Sequence, residues 1–328
     1  MNIFVTGGAG YIGSATAEAL VNLGHSVTVY DSLITGFRPA VPGGVRFIKA
    51  DLSDIVALTE AFSAEKYDAV MHFAGFIEAG ESMKDPGKFF KNNLANALQL
   101  IEAAVHAGVG KFVLSSTAAI FASSDAPLSE ESPIDPSNVY GYTKLVIEQT
   151  LEWYRKISTL HYATLRYFNA SGALPGRGEA HQPETHLIPL LLKVALDQSK
   201  SISIFGTDYP TPDGTCIRDY IHIGDLVSAH LLSLEALGKC DRLVYNLGNG
   251  NGYSVQELVE TARRVTGHPI PAVISPRRPG DAPRLVASSE KIRRELGWKP
   301  KYPDLTDIVT SAWDWHRIHP KGYTDIQN

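Results

Sequence analysis

The feature that most constrains this chain is its opening loop, Thr6-Gly-Gly-Ala-Gly-Tyr-Ile-Gly13. It follows a short β-rich run over residues 3–6 and opens a helical pattern over 11–23. Gly7 permits a tight turn, Gly10 lets backbone approach a pyrophosphate, and Gly13 lets helix and strand pack closely. The helix N-terminus then offers the phosphates free N–H groups and a partial positive charge. A second β-rich run, 27–30, ends in Asp31. A carboxylate there accepts from both ribose hydroxyls of NAD and repels the 2′-phosphate of NADP, so NAD is the expected cofactor.

Such a loop belongs on a parallel sheet, and the first half supplies one. Residues 3–6, 27–30, 46–49, 69–73, 111–115 and 162–166 read as strands; 11–23, 55–62, 89–107 and 138–156 read as helices. Runs such as Val27-Thr-Val-Tyr30 are continuous rather than alternating, as in strands buried on both faces. Strands separated by helices predict an α/β fold with a doubly wound parallel (Rossmann) sheet. The second half has Gly/Pro loops at 172–183, 209–215 and 276–283, with helical patterns at 188–198, 223–237 and 255–266. The expected division is an NAD-binding domain, 1–168, and a smaller α/β substrate lobe, 169–328. No long linker separates them, and parts such as 218–237 are open to packing back on the first.

Composition narrows the function classes. A net charge of -5 gives no basic face for nucleic acid. Two cysteines, Cys216 and Cys240, cannot make a disulfide framework; they read as reduced thiols, most simply small buried fillers. The apolar run 187–196 is broken by Pro189 and Lys193, too short to span a bilayer. With no basic, apolar leader before the glycine loop, a cytoplasmic location is expected, with no membrane partner. No metal is expected either: His181 and His186, for example, lie five apart.

Tyr140-Gly-Tyr-Thr-Lys144 is the only Tyr-x-x-x-Lys in the chain and begins a helical pattern. Positions i and i+4 share a helix face, so both side chains can reach one site. An ammonium beside the phenol is expected to lower its pKa, making it a base for a hydroxyl. Ser115-Ser116-Thr117 ends the preceding strand, where α/β sheets bind ligands, and a hydroxyl there can relay a proton.

Together the glycine loop with Asp31, Asp51-Leu52, His72-Phe-Ala-Gly75, Leu114-Ser-Ser-Thr117 and Tyr140-x-x-x-Lys144 resemble the extended short-chain dehydrogenase/reductase family. Arg166-Tyr-Phe-Asn-Ala-Ser-Gly172, His186-Leu-Ile-Pro189, Ile204-Phe-Gly206, Asp208-Tyr-Pro-Thr211, Arg218-Asp-Tyr-Ile-His222 and Arg277-Arg278 with Gly280-Asp281 look like its UDP-glucose 4-epimerase branch. The resemblance covers essentially the whole chain. It implies an isomerase that inverts C4 of a UDP-hexose through a transient 4-keto sugar, with NAD regenerated. Tyr140 is then the base, Lys144 holds the nicotinamide ribose, and Thr117 takes the place of the family's Ser/Thr. Gly7, Gly10, Tyr11, Ile12, Gly13, Asp31, Asp51, Leu52, Phe73, Ala74, Asn92, Lys144 and Phe168 line NAD. Asn169, Leu187, Arg218, Arg278 and Asp281 hold the UDP moiety, with Thr117 and Tyr140 at the sugar and Leu285 beside its 2-substituent. The resemblance also implies a homodimer through helices 92–107 and 138–156. The chain departs from the pattern at Ile77, at Phe121-Ala122 and at His186.

Rival readings remain. A 4,6-dehydratase needs an acid/base pair after the threonine, and here Ala118-Ala119 follows. Epimerases of other UDP-sugars (N-acetylhexosamine, glucuronate, pentose) stay open. A non-catalytic NAD sensor commonly loses the Tyr or the Lys; this chain keeps both.

Overall fold

The structure is a computed structural model that describes residues 1–278 and 281–325. It divides into two compact units. The first comprises Met1–Ala122, Pro133–Arg166 and Val227–Tyr245; the second comprises Ser123–Ser132, Tyr167–Leu226 and Asn246–Asn328.

In the first unit the elements run β1 Asn2–Thr6, α1 Tyr11–Asn22, β2 Ser26–Asp31, β3 Arg46–Lys49, α2 Ile55–Ala64 and β4 Ala69–His72. Then come α3 Ala79–Ser82, α4 Pro86–Phe89, a π-helical segment Phe90–Ala95 and α5 Asn96–His106. β5 Lys111–Thr117, α6 Val139–Ile157 and β6 His161–Tyr167 complete the pattern. The central sheet has seven strands, in the order Arg242–Leu247, β6, β5, β4, β1, β2, β3. β1 pairs parallel with both β2 and β4, β2 with β3, and β4 with β5. The order therefore reverses between β1 and β4, the switch point at which doubly wound sheets bind ligands beyond their carboxyl ends.

The apolar sequence accounts for this sheet. Ile3, Phe4 and Val5 of β1 and Ala69, Val70 and Met71 of β4 are all fully buried, as strands covered on both faces require. Phe4 anchors one face, its ring 4.8 Å from Phe62 and 5.0 Å from Tyr67. Each such fully buried large side chain contributes roughly 1.5–3 kcal/mol.

Two features differ from the sequence expectation. The helix expected over 89–107 is broken by the π segment, within which Asn93 turns inward. Its Oδ1 accepts from Phe76 N and its Nδ2 donates to Phe76 O, both at 2.8 Å, so the loop after β4 is tied to this turn. Strand Arg242–Leu247 also extends the sheet beyond the six strands expected. Of the thiols, Cys216 is buried as expected, whereas Cys240 is exposed and fills no core.

In the second unit, Asn169–Ser171 pairs parallel with Tyr220–His222, and Ile202–Phe205 with Ala272–Ser275. Ile217–Arg218 lies between Tyr253–Ser254 and Arg284–Leu285. Helices Leu187–Ala195, Val255–Thr266 and Leu305–Ile318 enclose a core of Leu191, Leu192, Leu258, Val259, Ile308 and Val309. Val255–Thr266 starts at a capping box formed by Ser254 and Glu257 and stops at Gly267 in the left-handed conformation. Asp219 is fully buried and accepts backbone N–H bonds from Asn249 (2.8 Å), Gly250 (2.9 Å) and Ala287 (3.1 Å). A Cβ on Gly248 would lie 2.5 Å from its Oδ2, so this carboxylate dictates glycine there. Among the described residues, no helix is long and apolar enough to cross a membrane.

Candidate active site

The glycine loop has the shape that its sequence demands. Gly7 has φ +71°, and a Cβ on it would meet Ala74 N at 2.5 Å. A Cβ on Gly13 would meet Gly7 O at 2.2 Å, so helix α1 lies directly on the loop. At Gly10 an added Cβ meets the protein only at Gly7 O, 3.3 Å away. Gly10 is the N-cap of α1; no side-chain cap bond is made there, and the first turn carries no acid. That end is therefore suited to a pyrophosphate. Tyr11 is buried and Ile12 half-buried.

Asp31 is buried at the end of β2. Its Oδ2 accepts from Ala9 N (2.9 Å) and its Oδ1 from Leu33 N (2.8 Å). Burial raises its carboxyl pKa, and those two bonds oppose the rise. A carboxylate has about four acceptor positions, so two remain for ribose hydroxyls. Asp51 holds Ser53 N at 2.9 Å, and Leu52 beside it is buried. Phe73 and Ala74, half-buried, follow β4 at the switch point, and the Phe73 ring lies 5.0 Å from His230. Asn92 is half-buried in the π segment, and Phe168 half-buried just after β6. The donor set and the glycine cradle fit NAD.

The start of α6 is held by three devices. Asn138 caps it, its side chain accepting from Gly141 N at 2.8 Å. Ser82 Oγ accepts from Tyr140 N at 3.1 Å. A Cβ on Gly141 would lie 2.3 Å from Ala119 O, so only glycine lets the first turn pack on residues 118–120. The Thr117 side chain is near enough to the Tyr140 phenol to lower its pKa. Four residues on, buried Lys144 donates to Ser115 O at 2.9 Å. After four more, Glu148 accepts from Ser116 Oγ at 2.5 Å and pairs with Arg166, whose Nη2 donates to Oε2 at 2.6 Å.

The electrostatics correct one expectation. The Tyr140 pKa is raised, by burial first; Thr117 opposes this and the Glu78 carboxylate adds to it. The Lys144 amine is turned to the Ser115 carbonyl and is itself pushed down to about 8 by burial, against the pull of Glu148. His72 is driven down to about 3, by burial and then by Lys144.

In the second unit, the polar residues singled out from the sequence come together on short segments. Asn169 Nδ2 donates to Asp219 O at 2.8 Å. Arg218 Nη1 donates to Ala282 O (2.8 Å) and Ile217 O (2.9 Å), and Nη2 meets Asp281 Oδ1 at 3.4 Å. Leu285, half-buried, is the register partner of Arg218. The Arg278 guanidinium lies 3.9 Å from the centre of the Phe205 ring. Leu187 opens helix Leu187–Ala195. Gly280, quoted for the resemblance, lies outside the described residues.

Asn138, Gly141, Glu148, Asn93 and Asp219 escaped the sequence reading. Asn138 carried a usable signal, a cap residue just before a helical pattern. Glu148 carried another, the next i+4 step after Lys144. One histidine pair, His316 and His319, has the three-residue spacing of metal ligands on a helix. Here both rings pack on Trp315, 4.9 and 5.0 Å from it, and His319 Nδ1 lies 3.2 Å from Trp315 O.

A doubly wound sheet, a glycine cradle at its switch point and a Tyr-Lys helix beyond β5 together define a dinucleotide enzyme of the short-chain type. Residues 3–248 match the NAD dependent epimerase/dehydratase family, and the chain belongs to that family. The UDP-glucose 4-epimerase of Halalkalibacterium halodurans is 48% identical over 99% of this chain and 98% of its own length. A crystal structure of a UDP-glucose 4-epimerase matches with a TM-score of 0.96 at 49% identity, covering 98% of this chain and 99% of that one. The UDP-glucose 4-epimerase of Bifidobacterium longum, solved in complex with NAD+ and UDP, matches at 0.93 and 35% identity, covering 98% and 100%.

Proposed function

We propose that Tyr140 is the proton-transfer group of an NAD-dependent epimerisation at C4 of a UDP-hexose. The observation that carries this is the placing of Tyr140 and Lys144 one helical turn apart on α6, with Lys144 held by the Ser115 carbonyl near the end of β5. When bound, NAD supplies a hydride acceptor that later returns the hydride to the 4-keto sugar, and a positive ring charge that favours phenolate over the raised phenol. Tyr140 takes the proton from the 4-hydroxyl and gives it back after the sugar has turned over. Thr117 fixes the phenol's direction. Lys144, with one of its three donors on Ser115 O, keeps two for the nicotinamide ribose.

Arg218 and Arg278 hold the diphosphate with forked donors, alongside Asn169, Leu187 and Asp281. Leu285 bounds the space beside the sugar 2-substituent. Leucine lacks the reach of a tyrosine, which favours acceptance of N-acetylated sugars as well. The enzyme is further proposed to work in the cytoplasm as a homodimer. Exposed Leu98 on α5 and Tyr142, Trp153 and Ile157 on α6 support that pairing, and sedimentation tests it.

The decisive experiment assays purified protein with UDP-glucose and UDP-galactose, adding no cofactor. Interconversion is expected, with NAD released on denaturation. Release of NADP alone, or a need for stoichiometric reductant, would overturn the reading.

A further inference from the structure

The loop leading into helix Leu187–Ala195 gathers four metal-ligating side chains that the proposed chemistry does not use. The ligand atoms of Glu179, His181, Glu184 and His186 all lie within 4.8 Å of one another. Nδ1 of His181 and Nδ1 of His186 approach the same oxygen, Glu179 Oε1, at 3.0 and 2.7 Å. His186 Nδ1 also lies 2.9 Å from Glu184 Oε1. We propose that these four residues form a site for one divalent transition-metal ion of the zinc type, which pins the loop against its helix.

The convergence is what distinguishes the site. A carboxylate has about four acceptor positions on two oxygens, and ordinary ion pairs can spread over them. Here both imidazoles aim the same kind of nitrogen at one point. In a tetrahedral site with bonds of about 2.0–2.2 Å, neighbouring ligand atoms stand about 3.3–3.6 Å apart. The separations present, from 2.7 to within 4.8 Å, bracket that value, so small side-chain rotations suffice. Two imidazoles with two carboxylates suit zinc better than calcium or magnesium, which prefer oxygen alone.

The surroundings behave as a supporting shell. Glu184 Oε1 accepts from Thr185 N and His186 N, both at 2.8 Å, which fixes the carboxylate before any ion arrives. The Glu179 and Glu184 side chains are only 6% and 2% exposed, while those of His181 and His186 are 23% and 37% exposed, leaving a way in from the imidazole side. Behind the loop, Gly178 N donates to the Tyr323 hydroxyl at 3.2 Å, and a Cβ on Gly178 would lie 2.1 Å from the Trp315 ring. The chain is thus packed closely on Trp315 at Gly178. Spacing along a helix could not reveal this site, because the intervals between its residues are two, three and two.

The test uses the full-length chain without a histidine tag. Metal content is measured as purified, and again after chelator treatment and titration with zinc. One zinc per chain and a melting temperature raised by several degrees are expected. His181→Ala combined with His186→Ala should lose both effects, and Cys216→Ser combined with Cys240→Ser should keep them. Cobalt replacement in the wild type should give the intense visible bands of a four-coordinate site. Failure of the stripped wild type to take up stoichiometric zinc overturns the proposal. So does zinc binding that survives in the histidine variant or vanishes in the cysteine variant. Should the histidine variant not fold, weak six-coordinate cobalt bands in the wild type overturn it alone.

Discussion

The proposed chemical groups of the first unit and the proposed binding groups of the second are held in opposite ways. Tyr140, Lys144 and Glu148 occupy successive i+4 steps on one face of α6. They meet Thr117, the Ser115 carbonyl and the Ser116 hydroxyl, three consecutive residues at the end of β5. One helix against one strand end therefore sets the row, and Arg166 on β6 closes it. Asn169, Arg218, Arg278, Asp281 and Leu285 instead sit on short strands and loops. Backbone carbonyls, an aromatic ring or a register partner hold each of the first three. The first arrangement couples its members in chemistry and stability; the second lets each act on binding alone.

The coupled row should give the largest effects. Tyr140→Phe removes the proposed proton acceptor and little volume. Turnover should fall on the order of 10²–10⁴-fold, with NAD still copurifying and UDP binding retained by calorimetry. Near-normal turnover in folded Tyr140→Phe would move the chemistry elsewhere. Next is Glu148→Ala, which leaves Arg166 buried with no carboxylate opposite it. Breaking such a pair costs about 3–5 kcal/mol, read by urea denaturation at saturating NAD. A loss below about 1 kcal/mol would mean that Arg166 is carried by other contacts, among them the Phe121 ring 5.3 Å away, and that the row is not coupled.

The same contrast decides what could be read in the sequence. The glycine loop, Asp31 and Tyr140-x-x-x-Lys144 are legible because strand and helix periods convert spacing into direction. The parallel sheet followed from continuous apolar runs for the same reason. The π segment was not legible: Asn93 overrides a smooth helical pattern by bonding Phe76, a partner seventeen residues away. The Tyr140 pKa was not legible either. Its direction depends on burial and on the Glu78 carboxylate, which a four-residue interval does not contain. In the second unit only the resemblance named the binding residues, since segments of two to four residues have no useful period. Asp219 shows the cost: its block reads as a ligand signature, while the carboxylate itself organises three backbone amides.

Separately held groups should show their effects in KM. Arg218→Met removes charged donors from the proposed diphosphate site while Asp219 keeps the local backbone in place. Hydrogen bonds to charged groups contribute about 1.5–3 kcal/mol, so KM for UDP-glucose should rise roughly 10–100-fold with kcat nearly unchanged, the signature of uniform binding lost. A fall in kcat with KM unchanged would place Arg218 in the chemistry and erase the distinction drawn between the units.

Leu285→Tyr should give the smallest and most selective effect. Leu285 lies in a two-residue strand opposite Arg218, half-buried, so its side chain can change without opening the core beneath. A tyrosine adds a ring and a hydroxyl where the sugar 2-substituent is proposed to lie. A 2-hydroxyl needs little room, whereas an acetamido group adds several heavy atoms that must displace the ring or be refused. Shape discrimination in such pockets amounts to about 1–3 kcal/mol, or roughly 10–200-fold. Wild type should therefore turn over both UDP-glucose and UDP-N-acetylglucosamine. The variant should keep the first activity and lose one to two orders of magnitude in kcat/KM on the second. Equal losses on both would mean that the tyrosine disturbs Arg218 next to it, making Leu285 part of the shared frame. No wild-type activity on the N-acetylated sugar would show that something other than Leu285 closes that space.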